Sequence, residues 1–267
     1  MSTRLAILGG GRMGEALTGG LLDAGWDPAT LSIAEVDGDR RRALEQRFRT
    51  VLVVPSPAWA VADADVVVVA TKPADVAASL ESALPSLGTA TLVVSIAAGV
   101  TLGSIEAVVP GRPVVRAMPN TPALVGRAAT AIAPGRHAGE TDLALAERIL
   151  GAVGLVVRVP EAQLDAVTGL SGSGPAYLFV LAEAMIEAGV LVGLDRPTAD
   201  ALVRQTLLGA STLLAEGESP ESLRAAVTSP GGTTAAGLAQ LERQGMRGAV
   251  LEAVRAATER SRELGGG

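Results

Sequence analysis

The chain has 267 residues, of which 48% are apolar and 2% aromatic, so it is long enough for two modest domains with a sizeable core. It has no cysteine, which excludes disulfides, thiolate metal sites and a cysteine nucleophile, and we expect no metal site. A net charge of −6 without a run of basic residues argues against nucleic acid as a partner.

Short apolar runs alternate with helical stretches up to about residue 160. The continuously apolar run 66–69 is typical of a strand covered by helices on both faces. This alternation predicts an α/β domain over residues 1–160, with a doubly wound parallel sheet of the Rossmann type. The candidate strands are 4–8, 31–35, 50–54, 65–70, 91–96, 113–117 and 155–159.

Helical periods replace the strand signals after Pro160, which predicts an all-α domain over residues 161–267. The apolar stretch 176–194 carries Glu183 and Glu187 on one helical face, and a membrane span disfavours such charges. We therefore expect no membrane contact, but a homodimer formed through the C-terminal helices or a higher homo-oligomer that contains this dimer. The first apolar run is too short for a secretory signal, so we expect a cytoplasmic protein.

Residues 9–14, Gly-Gly-Gly-Arg-Met-Gly, fit G-x-G-x-x-G between the first strand and a helix predicted over 13–22. Gly9 permits a tight turn, Gly11 lets the backbone approach a pyrophosphate, and Gly14 permits close packing of helix on strand. The start of the helix, with Arg12 and Met13, supplies amide donors to the phosphates. The motif predicts binding of NAD or NADP.

The end of the second predicted strand leaves the choice of dinucleotide open. Glu35 lies where an acid hydrogen-bonds the adenine ribose, which favours NADH and repels a 2′-phosphate. Arg40, Arg41 and Arg42 follow closely, and one of them can receive that phosphate unless all three belong to a solvated helix face. We expect NADPH or NADH as the cofactor.

Two further strand ends belong to the same crevice, because ligands of open α/β sheets lie beyond the carboxyl ends of the strands. Lys72 is the only lysine, and it lies either beside the nicotinamide or merely at a helix start before proline. The residues expected near the cofactor are Ala70, Thr71, Lys72, Pro73, Ser95 and Ala97.

The inventory of acids and bases is sparse for a dehydrogenase of alcohols. His137 and Tyr177 are the only histidine and tyrosine, and His137 lies in a loop. This scarcity favours a substrate that is already activated, such as a protonated C=N bond, which needs orientation more than an acid.

Five segments resemble the pyrroline-5-carboxylate reductase family: "VVATKPADV", "SIAAGVT", "RAMPNTPALVG", "LSGSGPAY" and "VTSPGGTT". The resemblance implies reduction of the cyclic imino acid L-1-pyrroline-5-carboxylate to L-proline with NADPH or NADH. It also implies a helical domain that interleaves with a second subunit. This chain departs from the family pattern after the second strand, because it has Glu35-Val36-Asp37 where many relatives have a small polar or basic residue.

The resemblance also assigns site residues. It places Asn120 near the nicotinamide and the substrate, and Thr234 within hydrogen-bonding distance of the imine nitrogen. It gives Lys72 a place beside the cofactor. The residues that match the substrate loop are Ser229, Gly231, Gly232, Thr233 and Thr234.

The residues themselves leave alternatives open. The turn 228–234 is either an anion cradle or a plain connection between helices in which a threonine caps the second helix. A β-hydroxyacid dehydrogenase with Lys72 as its base has the same two-domain layout. A dinucleotide-sensing protein without turnover would show the same glycine motif, but would not need an anion cradle.

Overall fold

The structure is a computed structural model that describes residues 3–266. These residues form two compact units. The first comprises residues 3–173 and 256–266, and the second comprises residues 174–255.

The first unit contains an eight-stranded sheet. Its strands are β1 (Leu5–Leu8), β2 (Leu31–Ala34), β3 (Leu52–Val54), β4 (Val66–Val69), β5 (Leu92–Ser95), β6 (Val114–Met118), β7 (Ala128–Pro134) and β8 (Gly154–Arg158). The α-helices within residues 3–173 are α1 (Arg12–Asp23), α2 (Gly38–Arg47), α3 (Pro57–Ala60), α4 (Val76–Ala83), α5 (Leu102–Val108), α6 (Glu140–Leu150) and α7 (Leu164–Val167).

The strand order is β3-β2-β1-β4-β5-β6-β7-β8, and the first six strands in the chain run parallel. The order 3-2-1-4-5-6 is that of a doubly wound dinucleotide-binding fold. The predicted fold class is therefore confirmed. It follows that the carboxyl ends of β1, β2 and β4 meet at one edge of the sheet.

The sequence analysis missed β7, and a wholly parallel sheet was wrong for the last two strands. β7 pairs antiparallel with β6, and β8 then pairs parallel with β7. Most of β7 is alanine, which is depleted in strands, so the segment Ala128–Pro134 gave no β signal. Ala128, Ala131 and Ala133 are buried, and their small side chains allow close packing on both faces of the sheet.

The core lies on both faces of the sheet because alternate strand residues point in opposite directions. Leu5 and Ile7 of β1 belong to one apolar cluster, and Ala6 and Leu8 belong to the other. All four residues are at most 1% exposed. Burying each leucine or isoleucine side chain contributes about 1.5–3 kcal/mol, so the central strands form a rigid base for the loops at their ends.

The remaining α-helices are α8 (Gly174–Leu191), α9 (Arg196–Ala215), α10 (Pro220–Ala226), α11 (Thr233–Arg243) and α12 (Met246–Leu264). Ser219 caps α10 as its sequence predicts, because its side chain accepts from the Ser222 N–H and Pro220 occupies the first turn. The predicted helical character of this region is confirmed.

Helix α8 is apolar around most of its circumference, apart from Glu183 and Glu187, and none of its residues is buried among the residues that the structure describes. Leu178, Phe179 and Val180 are each more than half exposed, and Leu191 is 86% exposed. The helical run Glu161–Leu191 is long and apolar enough to cross a membrane by length and composition alone, a test that helices covered by other protein also pass. A helix of this kind requires an apolar cover.

Candidate active site

The carboxyl ends of β1, β2 and β4 border a cavity of about 320 Å³ in the first unit. The sheet explains its position, since the backbone hydrogen bonds from Gly9 N to Ala34 O and from Ala70 N to Leu8 O continue the strand pairing up to the cavity. The predicted residues that line it are Gly9, Gly11, Glu35, Ala70, Thr71 and Lys72.

Each glycine of the motif occupies its position for a different steric reason. Gly9 has a φ of +102°, and a Cβ there would lie 2.8 Å from the Ala70 carbonyl oxygen. A Cβ on Gly14 would lie 2.1 Å from the Gly9 carbonyl oxygen. A Cβ on Gly11 meets no atom of the described residues within 4 Å, although Gly11 lines the cavity. Gly9 and Gly14 are therefore required by the fold, whereas Gly11 leaves space for a ligand.

Helix α1 begins beside this space. Its N-cap is Gly11, and no side chain caps the helix in the part of the chain that the structure describes. Arg12 is exposed at the first helical position, whereas Met13 packs against the core. The amide groups and partial positive charge of the first turn are thus suited to an anion.

Thr71 provides an independent indication of a ligand. Its Oγ1 is buried and has no hydrogen-bond partner among residues 3–266, and Thr71 lines the cavity. A buried hydroxyl without a partner costs free energy, and a polar ligand would remove that cost. Together with the open side of Gly11, this hydroxyl fits the binding of a dinucleotide.

Glu35 is held by two backbone amides. Its Oε2 accepts from Gly10 N–H at 3.0 Å, and its Oε1 accepts from Asp37 N–H at 2.9 Å. A Cβ on Gly10 would lie 2.3 Å from the Leu44 side chain, so the loop packs tightly against α2. Glu35 consequently fixes the glycine loop to the end of β2.

Glu15, in the first turn of α1, lies between two arginines. Arg40 donates from Nε to the Gly10 carbonyl at 2.7 Å and pairs with Glu15 through Nη2, and Arg47 also pairs with Glu15. Partial burial alone would raise the pKa of Glu15, but the hydrogen bonds and positive charges of Arg40 and Arg47 hold it below its usual value. Ionised Glu15 therefore fastens α2 to the glycine loop.

A second cavity in the first unit, of about 560 Å³, borders the ends of β4 and β5. Pro73, Ala98 and Gly99 line it, together with Arg260 and Leu264 of α12. The predicted residues Ser95, at the end of β5, and Ala97, two positions beyond it, are both buried, and Ser95 Oγ accepts from Ala97 N–H at 3.4 Å. Their contact with a cofactor stays a prediction.

Both polar atoms of the Asn120 side-chain amide form hydrogen bonds within the first unit. Its Oδ1 accepts from Ala129 N–H at 2.9 Å, and its Nδ2 donates to the Ser171 carbonyl at 3.0 Å. Asn120 is buried, at 9% exposure. It joins the end of β6 to β7 and to the short π-helix Thr168–Gly172, and its contact with nicotinamide or substrate stays a prediction.

An ion pair between a buried arginine and a partly exposed glutamate escaped the sequence analysis. Arg116 of β6 donates to Glu161 Oε1 at 3.1 Å, and the same oxygen accepts from Leu102 N–H at 2.6 Å. The pair connects the sheet, the start of α5 and the turn Glu161–Gln163. Its partners lie 45 positions apart in the chain, and no local pattern indicates such a contact.

The turn 228–234 lies in the second unit. Gly232 N–H donates to the Ser229 carbonyl at 3.0 Å, and Gly231 has a φ of +69°, as glycine after proline permits in a tight turn. Gly232 is the N-cap of α11, and a Cβ on it would lie 2.5 Å from Ser229 Oγ. The alternative in which a threonine caps this helix is therefore wrong.

The start of α11 is suited to an anion. No side chain caps α11 among the described residues, and Ser229, Thr233 and Thr234 are exposed next to its N-terminus. Amide and hydroxyl donors at a helix N-terminus stabilise a carboxylate. Substrate binding by this turn stays a prediction.

Five further residues of the first cavity were missed: Ala34, Val36, Pro57, Asp75 and Ser79. Val36 and Pro57 follow the ends of β2 and β3, so the rule that selected Ala70 would also have indicated them. Asp75 ends the 3-10 helix that follows Lys72, and Ser79 lies in α4. Their place beside the cavity depends on where these two helices begin and end, which the sequence analysis did not predict.

The comparisons with known proteins cover both units. Residues 161–264 match the family model for pyrroline-5-carboxylate reductase dimerisation, and residues 4–99 match the model described as NADP oxidoreductase, coenzyme F420-dependent. The chain is 47% identical to the pyrroline-5-carboxylate reductase of Mycobacterium tuberculosis, over 98% of this chain and 96% of the relative.

Solved structures give the same result. A pyrroline-5-carboxylate reductase from Coxiella burnetii is 36% identical with a TM-score of 0.93, and 99% of each chain is covered. The pyrroline carboxylate reductase of Plasmodium falciparum, solved with NADP bound, is 31% identical with a TM-score of 0.85, and 98% of each chain is covered. The chain belongs to the pyrroline-5-carboxylate reductase family.

Proposed function

We propose that this protein is an NAD(P)H-dependent imine reductase that converts L-1-pyrroline-5-carboxylate to L-proline, the last step of proline synthesis. The observation that carries the proposal is 47% identity to a reductase of this name over 98% of the chain. The two anion-binding features, one in each unit, agree with a dinucleotide cofactor and a substrate that carries a carboxylate.

The first unit binds the cofactor. Gly9, Gly11 and the first turn of α1, with Arg12, Met13 and Gly14, receive the pyrophosphate. Ala70, Thr71, Lys72 and Pro73 bind the part of the cofactor beyond it, with Ser95, Ala97 and Asn120 near the nicotinamide. The open side of Gly11 and the unpartnered Thr71 hydroxyl support these roles.

The turn 228–234 binds the substrate. Ser229, Gly231, Gly232 and Thr233 surround the carboxylate with amides and hydroxyls, and Thr234 donates or accepts a hydrogen bond close to the imine nitrogen. The uncapped N-terminus of α11 supports this role, because its dipole and amides favour a negative charge.

Bound NAD(P)H supplies a hydride. A protonated imine carries the electron deficit at its C=N carbon, so hydride addition there gives the secondary amine of proline without a further proton. The residues of this chain then need only to bind and orient the substrate, which agrees with the scarcity of histidine and tyrosine.

The alternative of a β-hydroxyacid dehydrogenase with Lys72 as base is less well supported than the imine reductase, because the relatives that match nearly the whole chain are named as reductases. A dinucleotide sensor without turnover would not need the second anion site that we propose in the helical unit.

The decisive experiment follows NAD(P)H absorbance with L-1-pyrroline-5-carboxylate and compares Thr234→Ala with wild type. We expect kcat/KM to fall by roughly one to three orders of magnitude, the scale of one lost oriented hydrogen bond. Thr212→Ala is the matched control, because the Thr212 hydroxyl bonds the Leu208 carbonyl within α9. Absence of turnover by the wild type would refute the reductase, and wild-type kinetics of Thr234→Ala would refute the role of Thr234.

The assembly is a homodimer through residues 161–264, or a higher homo-oligomer built from such dimers. The match to a dimerisation model and the exposed apolar surface of α8 support it. We also propose a cytoplasmic enzyme that binds neither nucleic acid nor membrane. A functional division into a cofactor domain, 1–160, and a helical domain, 161–267, agrees with the start of that family model at residue 161.

A further inference from the structure

The three arginines after β2 differ in their partners, and two of them are already paired with carboxylates. Arg40 pairs with Glu15 and donates to the Gly10 carbonyl. Arg42 pairs with Asp39 within α2. Neither arginine presents an uncompensated positive charge to a ligand.

Arg41 contacts only backbone carbonyls. Its Nη1 lies 3.0 Å from the Glu35 carbonyl oxygen and 3.5 Å from the Val36 carbonyl oxygen. Among residues 3–266, no carboxylate lies within ion-pair distance of Arg41. Since Glu35 and Val36 both line the dinucleotide cavity, the half-buried guanidinium of Arg41 lies at the end of β2, beside that cavity.

The position at the end of β2 is where dinucleotide-binding folds distinguish NADP from NAD. An acid there excludes the 2′-phosphate when its carboxylate is directed at the ribose. Here both oxygens of Glu35 accept backbone amides, from Gly10 and Asp37, and this holds the carboxylate against the glycine loop. The acid therefore has a structural task that does not depend on the ribose.

We propose that Arg41 binds the 2′-phosphate of NADPH and determines the preference of this chain for NADPH, while Glu35 maintains the glycine loop. A phosphate is a stronger partner for a guanidinium than a neutral carbonyl, because the hydrogen bonds are charge-assisted and can form in pairs. The assignment rests on the dinucleotide site of the proposed function but not on the imine.

The test measures binding of two nucleotide fragments to the protein without cofactor, by isothermal titration calorimetry. The probes are adenosine 2′,5′-bisphosphate and 5′-AMP, which differ only in the 2′-phosphate. We expect the wild type to prefer the bisphosphate, and Arg41→Ala to weaken its binding roughly 10- to 100-fold while changing 5′-AMP binding less than about twofold. Arg42→Ala is the matched control and keeps the wild-type preference.

Three results would overturn the assignment. The first is equal affinity of the wild type for both probes, and the second is an equal loss of affinity for the bisphosphate in Arg41→Ala and Arg42→Ala. The third is a loss of affinity in Arg41→Ala that is the same for both probes. If Arg41→Ala does not fold, Arg41→Lys decides, because it keeps the charge but loses the paired hydrogen bonds. A loss confined to the bisphosphate supports the assignment, and no loss or an equal loss contradicts it. Turnover of the imine with NADH tests the proposed function separately, so either can fail alone.

Discussion

Replacing Gly11 with alanine separates the binding of the cofactor from the stability of the fold. Gly11 has φ and ψ of −65° and −174°, which alanine adopts without strain. A Cβ on Gly11 meets no atom of residues 3–266 within 4 Å, and Gly11 borders the cavity. The added methyl group therefore occupies space that a pyrophosphate needs and disturbs nothing else.

The expected magnitude follows from this geometry. A hydrogen bond between a backbone amide and a charged phosphate contributes about 1.5–3 kcal/mol. Losing one such bond raises the Kd for NADPH and NADH by roughly 10- to 100-fold. The free energy of unfolding changes by less than about 1 kcal/mol, because reduced freedom of the unfolded chain opposes the poorer N-cap of alanine.

Gly14→Ala is the matched control, because it adds the same methyl group to the same motif. Its Cβ would lie 2.1 Å from the Gly9 carbonyl oxygen and 3.2 Å from the Ile7 side chain. Such overpacking costs about 3 kcal/mol, which lowers Tm by roughly 6–12 °C for a unit of this size.

The assay combines fluorescence titration of NADPH and NADH with thermal unfolding of the protein without cofactor. Gly11→Ala should lose affinity at an unchanged Tm, and Gly14→Ala should lose Tm. Wild-type affinity in Gly11→Ala would show that the pyrophosphate does not pass over this glycine. A large fall of Tm in Gly11→Ala would instead show that the space beside it is needed by the fold.

Two further predictions concern pH and assembly. Because the pKa of folded Glu15 is lowered from 4.5, its ionised form stabilises the fold above about pH 4.5, and this contribution disappears as pH falls through the folded pKa. Urea unfolding should therefore show Glu15→Gln less stable than wild type at pH 7, with a difference that shrinks in acid; a constant difference would contradict the linkage. Phe179 lies in the exposed surface of α8, and Phe179→Glu should reduce the molar mass measured by light scattering from that of the oligomer to that of one chain. Trp59, which is 65% exposed in the first unit, provides the control, because Trp59→Glu should leave the molar mass unchanged. An unchanged mass for Phe179→Glu would place the interface elsewhere.

The sequence predicted the features that have a local cause. Strands such as Val66–Val69 are continuously apolar because helices cover both faces, Gly9 occupies a turn with a φ of +102°, and Gly14 lies against the Gly9 carbonyl five positions earlier. Strand β7 escaped because alanine gives no strand signal, although small size is what this part of the sheet requires.

The partners of charged side chains could not be predicted in the same way. The contact of Glu35 with Gly10 spans 25 positions and that of Arg116 with Glu161 spans 45, so each depends on how distant segments fold together. The same limit applied to the arginines after β2, which looked equivalent in the sequence and differ only in what their guanidinium groups contact. For the turn 228–234, residue types alone indicated a sharp turn, and the resemblance supplied the role.

The position of Lys72 has a practical consequence for chemical probes. Lys72 is exposed, lines the dinucleotide cavity and is the only lysine in the chain, so the protein has a single side-chain amine. A reagent that acylates or alkylates lysine is directed to the cavity by composition alone, without any engineered residue. Lys72 can therefore report on the cavity, because a ligand bound there and the labelling reagent compete for access to its amine.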